Sequence, residues 1–583
     1  MRNQPQTALS SHVTLATARM SNLKSTEGLR KVFATPSIGS LAPLQLDTRR
    51  MSSAHTNLGV KKLKNAQVEV LKQELTECCL THMQDSYRVH LNRLQGVRIL
   101  DALIAMTTIS KIGAEFAIHM VWAALSCIHH FLLRLRTENG LLQWFRRRQA
   151  RKSIKTFDRL LMFLVPVYYS IVFNAVMTFF EEANIWEVEY FCSNLIERVL
   201  GSTDDKHRYE SINEIISLIE NTTLTNPLTS RQILQVLFDI ADAQHWKWID
   251  EGLLNKFLEM YYSSLTPEDN HHYNYESLEK GLETCLRAMG PNFDDNQLLF
   301  MICWMLNVVA TERISDDNLL TFGSLLEHIA NLYTERAPKR PLSERVLPSV
   351  LKTISSNNLL YSLLGHRILH SLVDRCKNKL IFDSPRIFLR NSRYNLVLNQ
   401  FSKADKALFQ RYREALHKTT VDSMLTHGVH KLYLENTYIS IALFMVEIPC
   451  AYTAAAGVCL SMALQDAALD SKNIQMTHAH RLHATVVSLM SLICYIHRAE
   501  VFYDYVETIV DRRANFAPHL NPPLMLKYKY AQHHVLWNKP ELFFEDWETR
   551  YGLWRCFKNQ ENIVVVQTAP TNLPAPSTSG IEK

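Results

Sequence analysis

The sequence predicts an all-α protein, an irregular armadillo/HEAT-like α-solenoid with disordered N- and C-terminal tails. Three observations carry that expectation. Only 16 glycines occur in 583 residues, well below the usual share of roughly 7%. Strand-rich folds need glycine at turns and bulges, so its scarcity favours helices. Polar breaks fall near 202–205, 226–227, 266–272, 337–342, 383–385, 448–449 and 518–523. Their spacing gives a helical hairpin every roughly 35–45 residues, the range of HEAT and armadillo repeats. Between the breaks the apolar residues recur at helical period. In 499–513, for example, Phe502, Tyr505, Val506, Ile509 and Val510 share a face, with Glu507, Asp511, Arg512 and Arg513 mostly opposite.

Residues 1–65 are rich in Ser, Thr, Lys and Arg, with Glu27 and Asp47 their only acids. Such a composition cannot bury a core, and a disordered basic tail is expected; a transit peptide shares that composition. Thr35, before Pro36, and Ser52, after Arg49 and Arg50, are candidate phosphosites whose phosphates would cancel positive charge. Residues 66–540 read as the solenoid, and 541–583 as a C-terminal helix remnant followed by a disordered tail. The eleven cysteines are scattered and form no CxxC pair, which suits a reducing cytosol. No secretory signal pattern opens the chain.

Within the solenoid, the vicinal Cys78 and Cys79 are candidate lipidation sites, beside the reading as buried structural cysteines. Residues 144–159, WFRRRQARKSIKTFDR, concentrate positive charge. A cluster of four to eight Lys/Arg holds a surface against anionic lipid. Trp144, Arg146, Arg147, Arg148, Arg151, Lys152 and Lys155 are therefore candidate membrane contacts, beside the reading as a solvated helix end. Residues 160–180 carry no charge, and about 20 apolar residues suffice to span a bilayer. Pro166, Asn174 and the pair Tyr168 and Tyr169 interrupt the stretch, which favours a buried core helix over a span. His478, His480 and His483 form an HxHxxH group whose helical spacing does not put all three on one face, so no metal is expected. No GxSxG, Walker A, GxGxxG or HExxH pattern occurs. Neither an enzyme nor a cofactor is expected, and no nucleic-acid motif accompanies the basic run.

In 431–470, KLYLENTYISIALFMVEIPCAYTAAAGVCLSMALQDAALD, a helix, a break at Ile448 and Pro449, and a second helix follow one another. The second is rich in small residues: Ala454, Ala455, Ala456, Gly457, Cys459 and Ser461. Small side chains let another helix approach closely. Ala463-Leu464-Gln465-Asp466 closing this hairpin is similar to the rolling blackout (eighty-five-requiring) family. Arg367 to Arg375 followed by Lys377-Asn378-Lys379, then Phe401-Ser402-Lys403-Ala404-Asp405, and the helix from Val506 to Phe516 also resemble that family, in its order, over about 355–520.

The resemblance implies a non-catalytic α-solenoid scaffold, peripheral on the cytosolic face of the plasma membrane. Such a scaffold tethers a type III phosphatidylinositol 4-kinase through a tetratricopeptide-repeat adaptor and a hyccin-type subunit, raising its effective concentration at the lipid. It also implies adaptor contacts near Arg512 and Arg513. The family's N-terminal cysteine cluster has no counterpart before Cys78: either the start of this sequence is misannotated or divergent, or contact with an anionic membrane surface has moved to 144–159 or to Cys78 and Cys79, or the protein no longer binds membranes. The alternatives are an integral membrane protein spanning at 160–180 and a soluble, cytoplasmic helical-repeat adaptor.

Overall fold

A computed structural model describes residues 57–557, apart from 81–85, 138–140, 244, 266–271, 338–339, 471–473 and 529–538. The expectations for residues 1–56 and 558–583, including Thr35 and Ser52, lie outside the described residues. Among those described, every regular element is helical. The first helix begins at Asn57, inside the stretch read as a tail.

The chain divides into two compact units, Met1–Gln297 and Leu298–Lys583. In the first, α1 (Asn57–Cys79) packs on α2 (Ser86–Met106) and α3 (Ala114–Thr137), and α3 lies along α4 (Leu141–Glu182). There follow α5 (Glu189–Gly201), α6 (Asp205–Thr225), α7 (Pro227–Ala243), α8 (Glu251–Leu265) and α9 (His272–Met289), with α7 against α5, α6 and α9. Helix α10 (Asp295–Val309) carries the division between the units. The second unit continues with α11 (Asp316–Arg336), α12 (Leu347–Ile354), α13 (Leu359–Val373), α14 (Lys403–His427) and α15 (Lys431–Glu447). It ends with α16 (Ala451–Leu469), α17 (Met476–His497), α18 (Glu500–Phe516) and α19 (Asp546–Phe557). Within each unit most helices pack on the next or the next but one; α16 against α19 is an exception. Such near-neighbour packing is the stacking logic of a helical-repeat solenoid.

Residues 160–180 lie in α4, which bends after Pro166: Tyr168 has non-helical angles, φ −122° and ψ 31°. Proline removes a backbone donor and crowds the preceding turn, which accounts for the bend. The stretch is long and apolar enough to cross a membrane by length and composition. Its Leu160, Leu164, Val172, Phe173, Val176 and Phe180 are nevertheless buried in the first unit. Trp122 of α3 donates to the Ala175 carbonyl at 2.8 Å, and the Tyr168 hydroxyl to that of Ile112 at 2.7 Å. The apolar face is a core face, as the interrupted sequence suggested.

In the second unit the hairpin lies where the sequence puts it, with Ile448 closing α15 and α16 starting at Ala451. Its small residues divide between two sides. Ala454, Gly457 and Ser461 are buried, and a Cβ on Gly457 would overlap the methyl group of Met445 of α15 and stand 3.3 Å from Ile493 of α17. Ala455, Ala456 and Cys459 turn towards α14 and border a cavity.

Between α13 and α14 the chain runs without regular structure over 384–401. The Arg386 and Phe388 amides donate to the hydroxyls of Ser488 and Ser491 on α17, at 3.0 and 3.1 Å. The Asn399 amide donates to the Val446 carbonyl at 3.0 Å. The segment is therefore fastened to two helices and not a free loop. Helices α12 and α13 come close at Gly365, where a Cβ would stand 2.9 Å from the backbone nitrogen of Ile354 at the end of α12. Backbone cannot swing aside as a side chain can. Gly365→Val should therefore force α12 and α13 apart and cost about 1–3 kcal/mol, read as a lower urea midpoint; an unchanged midpoint would show the two helices to be loosely held.

Candidate functional site

Helix α4 presents its basic residues on one side before the bend. Arg148, Arg151, Lys152 and Lys155 are exposed and Arg147 half-buried, while Ala150, Ser153, Ile154, Thr156 and Phe157 face the core. The exposed positions recur at three and four residues, the spacing of one helix face. Between Leu141 and Phe157 there is no acid. The next acid, Asp158, takes Arg198 in a two-pronged pair at 2.8 and 2.9 Å. Asp101 accepts from Thr156 at 2.8 Å and pairs with Arg159. Asp158 and Asp101 are thus paired with Arg198 and Arg159, and α4 itself brings no acid to the face of Arg148, Arg151, Lys152 and Lys155. The side chains of Trp144 and Arg146 lie outside the described residues.

The cysteine pair divides. Cys79 is buried, its sulfur 3.7 Å from that of Cys127 and seated over Gly96, where a Cβ would stand 2.2 Å away. Its hydrogen bond with Cys79 and its burial both push the Cys127 thiol well up. Cys79 is therefore a core residue, and acylating it would mean opening the α1–α2–α3 packing. Cys78 is half-buried. Burial, then Cys79, Glu74 and Glu77, raise its pKa, which disfavours the thiolate.

The adaptor-contact expectation divides likewise. Arg512 is exposed, but Arg513 is buried completely. Its guanidinium donates to the carbonyls of Leu542 at 2.7 Å, His483 at 3.1 Å and Leu520 at 3.2 Å, and sits against the rings of Phe543 and Phe544. Burial lowers its pKa to about 9. Arg513 is an internal fastener between α18 and the 540–545 segment, and it is not available to a partner. The core stripe of α18 runs Phe502, Val506, Ile509, Arg513, with Tyr503 beside it. Helical period alone puts Arg513 there, but its charge argued for the opposite face.

The other motif residues are fasteners too. Arg375, just past α13, reaches Asp405 of α14 and Glu447 of α15, each at 3.0 Å, and the Arg340 carbonyl at 3.2 Å. All three charged side chains are almost wholly buried. Glu447 also accepts from the Cys376 amide at 3.0 Å and the Asn399 side chain at 2.8 Å. Desolvation nonetheless raises its pKa. Asp405 and Ser402 close a capping box at the start of α14. Gln465 exchanges two hydrogen bonds with the Phe544 backbone, at 2.8 and 2.9 Å. Glu447 escaped the sequence reading; its only signal is a lone acid ending an apolar helix.

The histidines of HxHxxH are interior side chains. His478 bonds the Met424 carbonyl at 3.0 Å, His480 packs on His519 at 4.3 Å between ring centres, and His483 packs on Phe543. Among the described residues no group of three His, Cys, Asp or Glu is placed to hold a metal.

Helices stacked on their near neighbours, the only regular elements among the described residues, define the class of helical-repeat solenoid proteins. The family described as EFR3, armadillo repeat, matches residues 68–546. The chain therefore belongs to the EFR3 armadillo-repeat family, the group its C-terminal motifs resemble, as a divergent member. Protein EFR3 homolog cmp44E of Drosophila melanogaster is 21% identical over 403 residues, covering 67% of this chain and 46% of that protein. The chain thus spans about half the length of this curated relative. No solved structure matches it.

Two outcomes follow for the second unit. Arg375→Met leaves two buried carboxylates without their cation and should cost about 3–5 kcal/mol, measured by urea unfolding. The buried histidines set a pH dependence. Burial lowers the pKa of His366 to about 3 and those of His480, His497 and His519 to about 4. An unfolded chain takes up these protons near pH 6.5. Their contribution to stability is therefore complete above that value and is lost progressively as pH falls through 6.5 towards 4 and 3. The melting temperature should drop steadily over this window; a flat profile would contradict neutral burial.

Proposed function

We propose that the protein is a non-catalytic scaffold, peripheral on the cytosolic face of the plasma membrane, which brings a phosphatidylinositol 4-kinase type III complex to its lipid. Contact with that complex runs through a tetratricopeptide-repeat adaptor and a hyccin-type subunit. Membership of the EFR3 family supports the scaffold reading. The observation that carries membrane contact is the acid-free face of α4 with Arg148, Arg151, Lys152 and Lys155 exposed. Lys152 and Lys155 have no ion-pair partner among the described residues, so association would not first require breaking a bridge on them. The mechanism is electrostatic adsorption on anionic lipid. Held there, the scaffold raises the local concentration of whatever it carries, without chemistry of its own. Cys78 is the half-buried cysteine left for a second, lipid anchor, and Arg512 the exposed residue left for adaptor contact.

The test is sedimentation of the full chain with vesicles of phosphatidylcholine alone or with phosphatidylserine. Binding should need the anionic lipid and weaken with salt. Each basic side chain contributes about 1 kcal/mol near such a surface, so replacing all four with Gln should weaken partitioning by roughly three orders of magnitude. Binding that ignores both lipid charge and the substitutions would refute adsorption through this face. In cells, alkaline carbonate should release the protein; retention in the pellet would instead favour a span at 160–180. Affinity purification in mild detergent should recover the kinase and its adaptor, and recovery of neither would sink the scaffold reading.

A further inference from the structure

A cavity of about 380 Å³ lies beside the small-residue helix in the second unit. That lies within the range of roughly 300–1,000 Å³ typical of small-molecule sites. It is more than twice the apolar void of about 150 Å³ that holds a benzene. Five helices wall it: Leu351 and Ile354 of α12, Leu369 of α13, Phe409 and Leu416 of α14, Ile441, Phe444 and Met445 of α15, and Leu460 of α16. The space exists because α16 turns Ala455, Ala456 and Cys459 towards it, where larger side chains would fill it. The space opens to solvent beside the exposed Cys459, and its apolar walls lack partner atoms that a ligand would supply.

The charged groups at the cavity belong to one helix. Arg413 and Glu414 of α14 are exposed, and His417, one turn on from Arg413, is half-buried. Arg413 sits over the ring of Tyr452 at 5.7 Å, donates to its hydroxyl at 2.9 Å and pairs with Glu414 at 2.9 Å. These bonds fix the guanidinium beside the opening with part of its five-donor set unspent. Deeper in, Ser440 is already bonded to His366 and His370, each at 2.9 Å. The interior thus offers apolar surface, while the rim offers a guanidinium that already pairs with one carboxylate, Glu414, and keeps donors for a second.

We propose that this cavity is a binding site for one long-chain fatty acid, its chain among Leu351, Ile441, Phe444 and Leu460 and its carboxylate at Arg413 and His417. The site is separate from the basic face of α4 and does not depend on the scaffold reading. Binding is non-covalent, with the thiol of Cys459 bordering the chain.

Titration of the full chain with a fluorescent fatty acid, displaced by palmitate, is the primary test. Saturable one-to-one binding is expected. Ala456→Phe should abolish it by filling the space while leaving the melting temperature unchanged or raised. Arg413→Gln should weaken it by roughly tenfold or more, the worth of a charge-assisted hydrogen bond, and methyl palmitate should show the same loss. On the unaltered protein, palmitate should slow alkylation of Cys459, followed by mass spectrometry of its peptide. This last measurement stands even if a variant fails to fold. No saturable binding, binding unchanged in a folded Ala456→Phe protein, or no protection of Cys459 would each overturn the proposal. Equal affinity for lysophosphatidylcholine would overturn it as well, by showing that the carboxylate is not recognised.

Discussion

The second unit depends on one buried cation. Arg375 leaves the end of α13 and meets Asp405 at the start of α14 and Glu447 at the end of α15. Three helix ends and the irregular 384–401 segment, through Asn399, are thereby fixed to a common point. Removing three charges from water is costly, and their attraction offsets that cost only where the remaining donors and acceptors are also satisfied. Here they are: Cys376, Asn399, Ser402 and the Arg340 carbonyl complete the set. The geometry tolerates little sliding, because a shift of any one helix end leaves a buried charge partly unpaired. Apolar stacking alone would permit many near-equivalent packings of such helices. The ion cluster adds a positional constraint that apolar contacts lack.

This gives the sequence resemblance a physical basis. Arg375 lies in one motif, Asp405 in the next, Gln465 in the third and Arg513 in the fourth. Each fastens segments that apolar pattern would leave adjustable: helix ends for the first pair, the 540–545 segment for Gln465 and Arg513. A family signature composed of buried polar residues marks how the solenoid is held together. It does not mark where a partner sits, and the adaptor expectation went astray at Arg513 for that reason.

Helix type was legible throughout, because glycine scarcity and period 3.6 point the same way. Breaks were legible where proline or a polar run punctuates them, as at Asn226 and Pro227 or Ile448 and Pro449. They were not legible at Asn184, Glu312 and Arg498, which take left-handed φ of 46°, 54° and 49° without being glycine. Arg498 separates α17 from α18 with no turn residue nearby in the sequence. Asparagine tolerates that region, but for Glu312 and Arg498 tertiary packing decides and local propensity is silent. The basic face of α4 was legible because charge and period agree there. The cysteine pair was not, since Cys78 and Cys79 are adjacent in the chain and only packing on Gly96 and Cys127 tells them apart.

The alanine-rich helix α16 shows how one composition serves two purposes. Consecutive small residues on a helix point in different directions, so a run of them cannot all face one neighbour. Ala454 and Ser461 are buried on one side, and Gly457, at the edge of the cavity, admits Met445 of α15, whose methyl group an added Cβ would overlap, and Ile493 of α17. Ala455, Ala456 and Cys459 point the other way, and the walls opposite, Phe409 and Leu416 on α14, do not close the space. Phe409 is held against Phe444 and Tyr452, with ring centres 5.7 and 6.1 Å apart. Collapse into the cavity would mean giving up those ring contacts, and α14 is fixed at its start by Asp405 on Arg375. The same buried cation that fixes the register of the helices thus holds one wall of the cavity in place. Smallness on one side of α16 yields tight packing, and on the other a space that rigid surroundings keep open.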